Sequence, residues 1–212
     1  MRGEKVRKPV EYIESLEQII ALAPEVVIPS HGDPIRGAGL IRESLVKMRD
    51  AVRYVHDATV AGMNAGKTVE QLMAEIELPP RLEMTQAHGR VSWSVRSIWE
   101  YYATWFHFDT TTALYPVPAR EVYGELTELA GIDGLVAHAR RHIGAGRPVH
   151  ALHLLDIALG GQPRHRAALE ARRAALQALL DAAESGLRNS YEMDWLLYRI
   201  RITDEALAEG AA

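Results

Sequence analysis

The chain has 212 residues, 48% hydrophobic and 25% charged, an ordinary globular balance with enough apolar material for a sizeable core. Its net charge of −4 provides no basic surface of the kind that nucleic acid or an anionic membrane requires, so neither partner is expected. It has no cysteine, which excludes disulfides, zinc ribbons and thiol nucleophiles and leaves His, Asp and Glu as the metal-ligating side chains.

Arg2, Lys5, Arg7 and Lys8 open the sequence without an apolar stretch behind them, and no run approaches the roughly 18 apolar residues of a membrane span. A product that begins at Met1 is therefore expected to be cytoplasmic. Residues 9–23 read as an amphipathic helix, with Ile13, Leu16, Ile19, Ile20 and Leu22 at near-helical spacing and Pro9 in its first turn. Glu25 to Pro29 then reads as a short β-branched strand. It runs into Ser30-His31-Gly32-Asp33-Pro34-Ile35-Arg36-Gly37, a loop stiffened by Pro34 and tightened by its glycines. A rigid loop that carries a histidine at the end of a strand is a common way to present a metal ligand, and His31 is the candidate. Because one strand makes no sheet, the first forty residues are expected to be the end of a domain that begins elsewhere.

A long helix is predicted from Ala38 to about Ala65, closed by the small residues Asn64-Ala65-Gly66. Thr68 with Gln71 forms a capping-box pattern for a second helix, lined by Leu72, Met73 and Ile76 and stopped by Pro79-Pro80. Residues 81–91 are irregular. A third helix, roughly 92–107, is unusually aromatic: three of the four tryptophans and both phenylalanines fall between 93 and 108. Such a concentration makes either a dense core or an interface, and the core is the stronger expectation. Tyr115-Pro116-Val117-Pro118 reads as an extended linker. Helices resume at about 119–130, 135–143, 149–159, 164–183 and 189–208. Within them Gly146, Ala151, Leu152, Leu155, Ala158 and Pro163 match the positions of one tetratricopeptide-type hairpin.

The helical histidines are weak metal candidates. His138 and His142 share a helix face, but Arg140 and Arg141 beside them disfavour a cation; His150 and His153 read as packing residues, and His56 with Asp57 as a structural polar contact. Gln86-Ala87-His88-Gly89-Arg90 differs from these. It is a polar loop that places His88 and Arg90 at the N-terminus of the aromatic helix, a setting suited to an anionic oxygen group such as sulfate or phosphate. The competing reading is a loop that only caps its helix. There is no phosphate-binding glycine loop, dinucleotide fingerprint or serine-hydrolase elbow.

Taken together, Val27-Ile28-Pro29-Ser30-His31-Gly32-Asp33-Pro34 resembles the last metal-ligand motif of metallo-β-lactamase-fold hydrolases. Arg49 to Asp57, Met63 to Thr68, Leu78-Pro79-Pro80, Trp105-Phe106, Leu114 to Pro118 and the hairpin at 147–163 resemble the dimerisation domain of alkyl sulfatases. The resemblance covers roughly 9–37 and 38–185. It implies a two-metal, zinc-dependent hydrolase that converts alkyl sulfate esters to alcohol plus sulfate, with His31 at the position of the final metal-ligand histidine. The family's H-x-H-x-D-H ligand motif is not in this chain, and its Gly-Tyr-Tyr-Gly-Thr-type segment is replaced by Gln86 to Arg90.

The expected fold is mainly α. A multi-helical dimerisation domain with a tetratricopeptide-like hairpin is expected at 38–208, preceded over 1–37 by the helix–strand remnant of an α/β metallo-β-lactamase fold. The resemblance gives the chain the dimerisation domain and one metal-ligand loop of such a hydrolase. Its expected partners are a second copy of the chain and the missing catalytic half. Zinc is expected at His31, substrate contact at His88 and Arg90, and no catalytic residue within the chain. The alternative is a non-catalytic helical dimerisation or scaffold protein.

Overall fold

A computed structural model describes residues 8–107 and 110–209. The basic residues at 1–7, Phe108 of the aromatic region and the tail at 210–212 lie outside the described residues. The chain forms two compact units, residues 1–107 and 108–212, and the boundary expected at 37/38 falls inside the first.

In the first unit, helix α1 (Pro9–Ala21) starts at a proline and turns Ile13 and Leu16 inward onto helix α2 (Ala38–Asn64). Between them is a two-stranded antiparallel hairpin, β1 (Val26–Val27) with β2 (Ile35–Arg36), in register Val26↔Arg36 and Val27↔Ile35. The expected strand 25–29 is thus shorter and has a partner that the sequence reading placed in the loop. Gly37 leaves the hairpin at φ +105, a backbone conformation that favours glycine, and its N–H donates to the Glu25 carbonyl at 2.9 Å.

The buried face of α2 is Ile41, Ala51, Val55, Thr59 and Gly62. Gly62 packs closely there: a β-carbon would meet a methyl of Leu72, which would have to shift. Helix α3 (Val69–Glu75) begins with the capping box predicted from Thr68 and Gln71: the Gln71 N–H donates to the Thr68 hydroxyl at 3.3 Å and the Thr68 N–H to Gln71 Oε1 at 2.8 Å. After a 3₁₀ turn at Pro80–Leu82, helix α4 (Val91–Ala103) packs on α2 and α3.

Val95 and Ile98, both 0% exposed, are the buried hydrophobic residues of α4, with Trp99 only half-buried against their cluster. Tyr102 and Trp105 are exposed by 45% and 70%. Of the six described aromatic residues from Trp93 to Phe106, these two are exposed and the other four half-buried, so the concentration is a partly covered face and not the dense core that was the stronger expectation. The helix also stops four residues before the predicted 107, because Thr104 turns the chain at φ +62.

The second unit starts with 3₁₀ turns at Thr111–Leu114 and Ala119–Val122, then stacks five helices: α5 (Tyr123–Ala130), α6 (Ile132–Gly144), α7 (Pro148–Gly161), α8 (Arg166–Ser185) and α9 (Ser190–Glu209). Each helix from α6 onward packs on the next, and α7 also carries α5. Small residues allow this close stacking, with Ala139, Ala151, Ala158, Ala168 and Ala175 all at 0% exposure around Leu155. The positions read as one tetratricopeptide-type hairpin, Gly146 to Pro163, fall on α7 and the turns at its two ends, and α7 packs on the following helix, α8.

Candidate functional site: a cation-rimmed cavity and the His31 hairpin

His88 and Arg90 line one cavity of about 570 Å³ in the first unit. The polypeptide reaches it from three sides. Lys8 and Tyr12 come from the start of α1, Met48, Val52 and Val55 from successive turns of α2, and Met84 to Arg90 from the loop that enters α4. Ser94 and Ile98 of α4 close it. The loop also does the capping considered as its alternative role, since the Val91 N–H donates to Gln86 Oε1 at 2.9 Å. Capping is thus assigned to Gln86, while His88 and Arg90 belong to the cavity wall. Lys8, Tyr12 and Met48 were not legible as site residues, because they come together only through the α1–α2 packing. There the Tyr12 hydroxyl lies 3.0 Å from Met48 Sδ.

His31 is not part of this cavity. It is exposed in the turn of the β1–β2 hairpin, with Gly32 at φ +88 beside it. Among the described residues, no group of three or more His, Asp or Glu side chains is placed to hold a metal ion. The residues present therefore do not make up a two-zinc site by themselves, and no chemical step is derived through one.

His56 has a structural setting. Its Nδ1 is 2.7 Å from Asp57 Oδ1 and its Nε2 is 2.7 Å from the Tyr102 hydroxyl, which ties α2 to α4. Burial, then the nearby Tyr101, Glu11 and Asp57, push the Tyr102 phenol above the ordinary tyrosine value. The phenol therefore stays neutral; the Asp57 carboxylate can only accept, so Nδ1–H donates to it, and in the neutral imidazole that tautomer leaves Nε2 to accept from the Tyr102 hydroxyl. The pairing spans 46 residues, so only the fold reveals it.

The other histidines meet differently from the predicted i, i+4 and i, i+3 pairs. His142 of α6 stacks on His150 of α7, with ring centroids 5.3 Å apart and planes at 23°. Its Nδ1 is buried without a hydrogen-bond partner. Burial, then Arg147, His150, His138 and Arg141, lower its pKa below the ordinary 6.5. The unfolded chain thus takes the proton first as pH falls. The stability that His142 contributes is complete above pH 6.5 and is lost as pH drops toward and through the lowered folded value. Thermal unfolding followed from pH 7.5 to 5 should show this loss, and His142→Gln should flatten it.

Comparison with known proteins supplies the kinship. The alkyl sulfatase dimerisation family model matches residues 68–196. A linear primary-alkylsulfatase from a Pseudomonas species is 38% identical over 136 residues, covering 62% of this chain and 26% of that protein. An alkyl/aryl-sulfatase from Saccharomyces cerevisiae is 26% identical over 200 residues, 90% of this chain and 31% of its own length. The fold matches a solved structure of the sec-alkyl sulfatase PisA1, a double mutant, with a TM-score of 0.78 at 22% identity, covering 96% of this chain and 32% of that one. The chain thus spans about a quarter to a third of the length of the relatives it matches. With well over half of its length inside the family match, the chain belongs to the alkyl sulfatase dimerisation family.

Proposed function

We propose that this chain is the self-associating part of a metal-dependent hydrolase of the alkyl sulfatase type. It supplies the dimerisation helices, one metal-ligand histidine and an anion-contacting loop to a site completed by a catalytic segment outside the sequence. The observation that carries this reading is the state of the His31 hairpin. Val26, Ile28 and Ile35 are exposed by 42%, 77% and 42% in a hairpin of two-residue strands, which is far below what a free-standing sheet needs. Exposed β-branched residues around a strand pair are what the edge of a larger sheet leaves when the rest is removed. His31 sits in the turn of that edge, where it can face a metal held mainly by other residues. His88 and Arg90 are the side chains suited to the sulfate group.

Self-association is supported by the family and by exposed aromatic residues in each unit taken separately, Trp105 at 70% exposure in the first and Tyr115 at 64% in the second. Light scattering is expected to give twice the chain mass of 23.6 kDa; a clean monomer would count against the dimer.

The test is complementation. Alone, the chain is expected to bind zinc weakly, to hydrolyse no alkyl sulfate, and to melt at the same temperature after His31→Ala. With the upstream metal-binding segment of an alkylsulfatase fused before it, alkyl sulfate hydrolysis should appear. His31→Ala should then reduce it by more than the roughly 10–100-fold cost of losing an outer-shell partner. Near-stoichiometric binding of two zinc ions to the isolated chain would sink this reading. A fusion that dimerises but stays inactive would favour the scaffold alternative.

A further inference from the structure

The turn between α6 and α7 gathers basic side chains that no carboxylate balances. Gly146, at φ +69, takes the left-handed position after α6. Its N–H donates to the Ile143 carbonyl at 3.0 Å, and the Arg147 N–H donates to the His142 carbonyl at 2.9 Å. Arg147 is thereby brought back to His142, and the first turn of α7 stacks His150 on the same ring. After burial, the groups that hold down the pKa of His142 are Arg147, His150, His138 and Arg141, and all are bases. Among the described residues, no acid acts on it in the opposite direction. Glu170 of α8 pairs instead with Arg166 at 3.0 Å and Arg140 at 4.0 Å, and Asp156 of α7 with Arg172 at 2.8 Å. Asp133 stands in the first turn of α6, at its far end.

Helix-end electrostatics explain only half of this cluster. The last turn of α6 favours Arg141 and His142, but the start of α7 favours acids, and it has none in its first turn. It carries Arg147 at its cap and His150 one residue beyond Val149 instead. His142 Nδ1 is buried without a partner, and an unpaired buried N–H is the rarer and costlier case. The neutral ring therefore keeps its proton on Nε2, as a donor. Arg141, Arg147 and His150 are exposed, so a solute reaches them. We propose that the α6–α7 turn binds a phosphate group, as the inorganic ion or on a small phosphomonoester, between Arg141, His142, Arg147 and His150. The guanidinium forks match phosphate oxygens, and the imidazoles add N–H donors. Two permanent charges and two titratable rings at one turn suit a compact dianion better than a single carboxylate. The site lies wholly in the second unit and does not rest on the reading of His88 and Arg90.

Isothermal titration of the full chain with inorganic phosphate and with glycerol 3-phosphate, chloride holding the ionic strength constant, tests the site. One saturable site per chain is expected for at least one of the two probes. The tighter of them tells whether the phosphate is free or carried on a larger molecule. Arg147→Gln should weaken binding about tenfold or more, and Arg147→Lys, which keeps the charge but loses the fork, by less. Both should leave the circular dichroism spectrum and the phosphate-free melting temperature unchanged, since Arg147 is exposed. Added phosphate should also move the NMR titration of the His142 ring to higher pH, because a bound anion favours the imidazolium. The wild-type chain alone suffices for that reading if a variant fails to fold. Three results would overturn the site: no saturable binding, a folded Arg147→Gln that binds normally, or a His142 titration that phosphate leaves in place. Binding that survives Arg147→Gln but is lost in Arg90→Gln would also overturn it, and would assign the phosphate to the cavity of the first unit.

Discussion

Replacing Leu155 by alanine is expected to cost the second unit about 2–5 kcal/mol of folding stability, enough to remove a large share of a typical domain's total. Leu155 is 0% exposed at the centre of α7, inside the cluster to which α6 and α8 also contribute. Its surroundings are unusually rich in alanine, with Ala139, Ala151, Ala158 and Ala168 around it. Short side chains cannot swing into a vacated volume, so the cavity will stay open and the cost should fall in the upper part of that range. Leu129→Ala is the matched control. Leu129 is 84% exposed, so the same chemical change should shift stability by no more than about 0.5 kcal/mol. Denaturant unfolding of the two variants measures the difference. Equal effects would mean that the helical stack is not the packed core described here.

The helices were legible because their signals are local. Apolar residues recur along α2, the small residues Asn64, Ala65 and Gly66 close it, and Thr68 with Gln71 opens α3 by a pattern four residues long. The helices of the second unit also fell close to their predicted places, since glycine and proline punctuate the sequence between them. The misses share a cause. The β1–β2 pairing joins strands of two residues, too short to show a period, and β2 lies in a stretch that reads as loop chemistry around His31. The end of α4 depends on Thr104 adopting φ +62, which nothing in a β-branched residue announces.

The site divides in the same way. The loop from Gln86 to Arg90 stood out because a polar, glycine-containing segment just before a helix is a local pattern, and the structure places both of its candidates on one cavity. What that cavity is made of was not legible. Lys8 and Tyr12 lie some eighty residues from Arg90 in sequence, and no periodicity links them. Histidine pairing shows the same limit: His138 and His142 share a face by spacing, yet the ring that His142 meets is His150, across a turn. Spacing reports which side chains share one element. It does not report which elements meet.

Gly160→Ala with Gly161→Ala is expected to destabilise the second unit by roughly 2–5 kcal/mol, although alanine is the better helix former at both positions. A β-carbon at residue 160 would come within 2.8 Å of Tyr123 Cβ, and one at residue 161 within 2.7 Å of Thr127 Cβ. Both obstacles are attached directly to the backbone of α5, so no rotamer change relieves them and the helices must separate. Separation also strains the hydroxyl of Thr127, which is 3% exposed and lies 2.8 Å from the Tyr123 carbonyl and 2.9 Å from the Ile157 carbonyl across the helix pair. At Gly62 the obstacle is instead the tip of Leu72, a side chain that can rearrange, so Gly62→Ala should cost less than either. Gly134 of α6 has nothing within 4 Å of the added carbon. There the propensity gain is unopposed, and Gly134→Ala should stabilise by about 0.5–1 kcal/mol. The same substitution thus takes opposite signs at two places in one unit. If Gly160→Ala with Gly161→Ala melts at or above the parent temperature, α5 does not lie against α7 as closely as the structure has it.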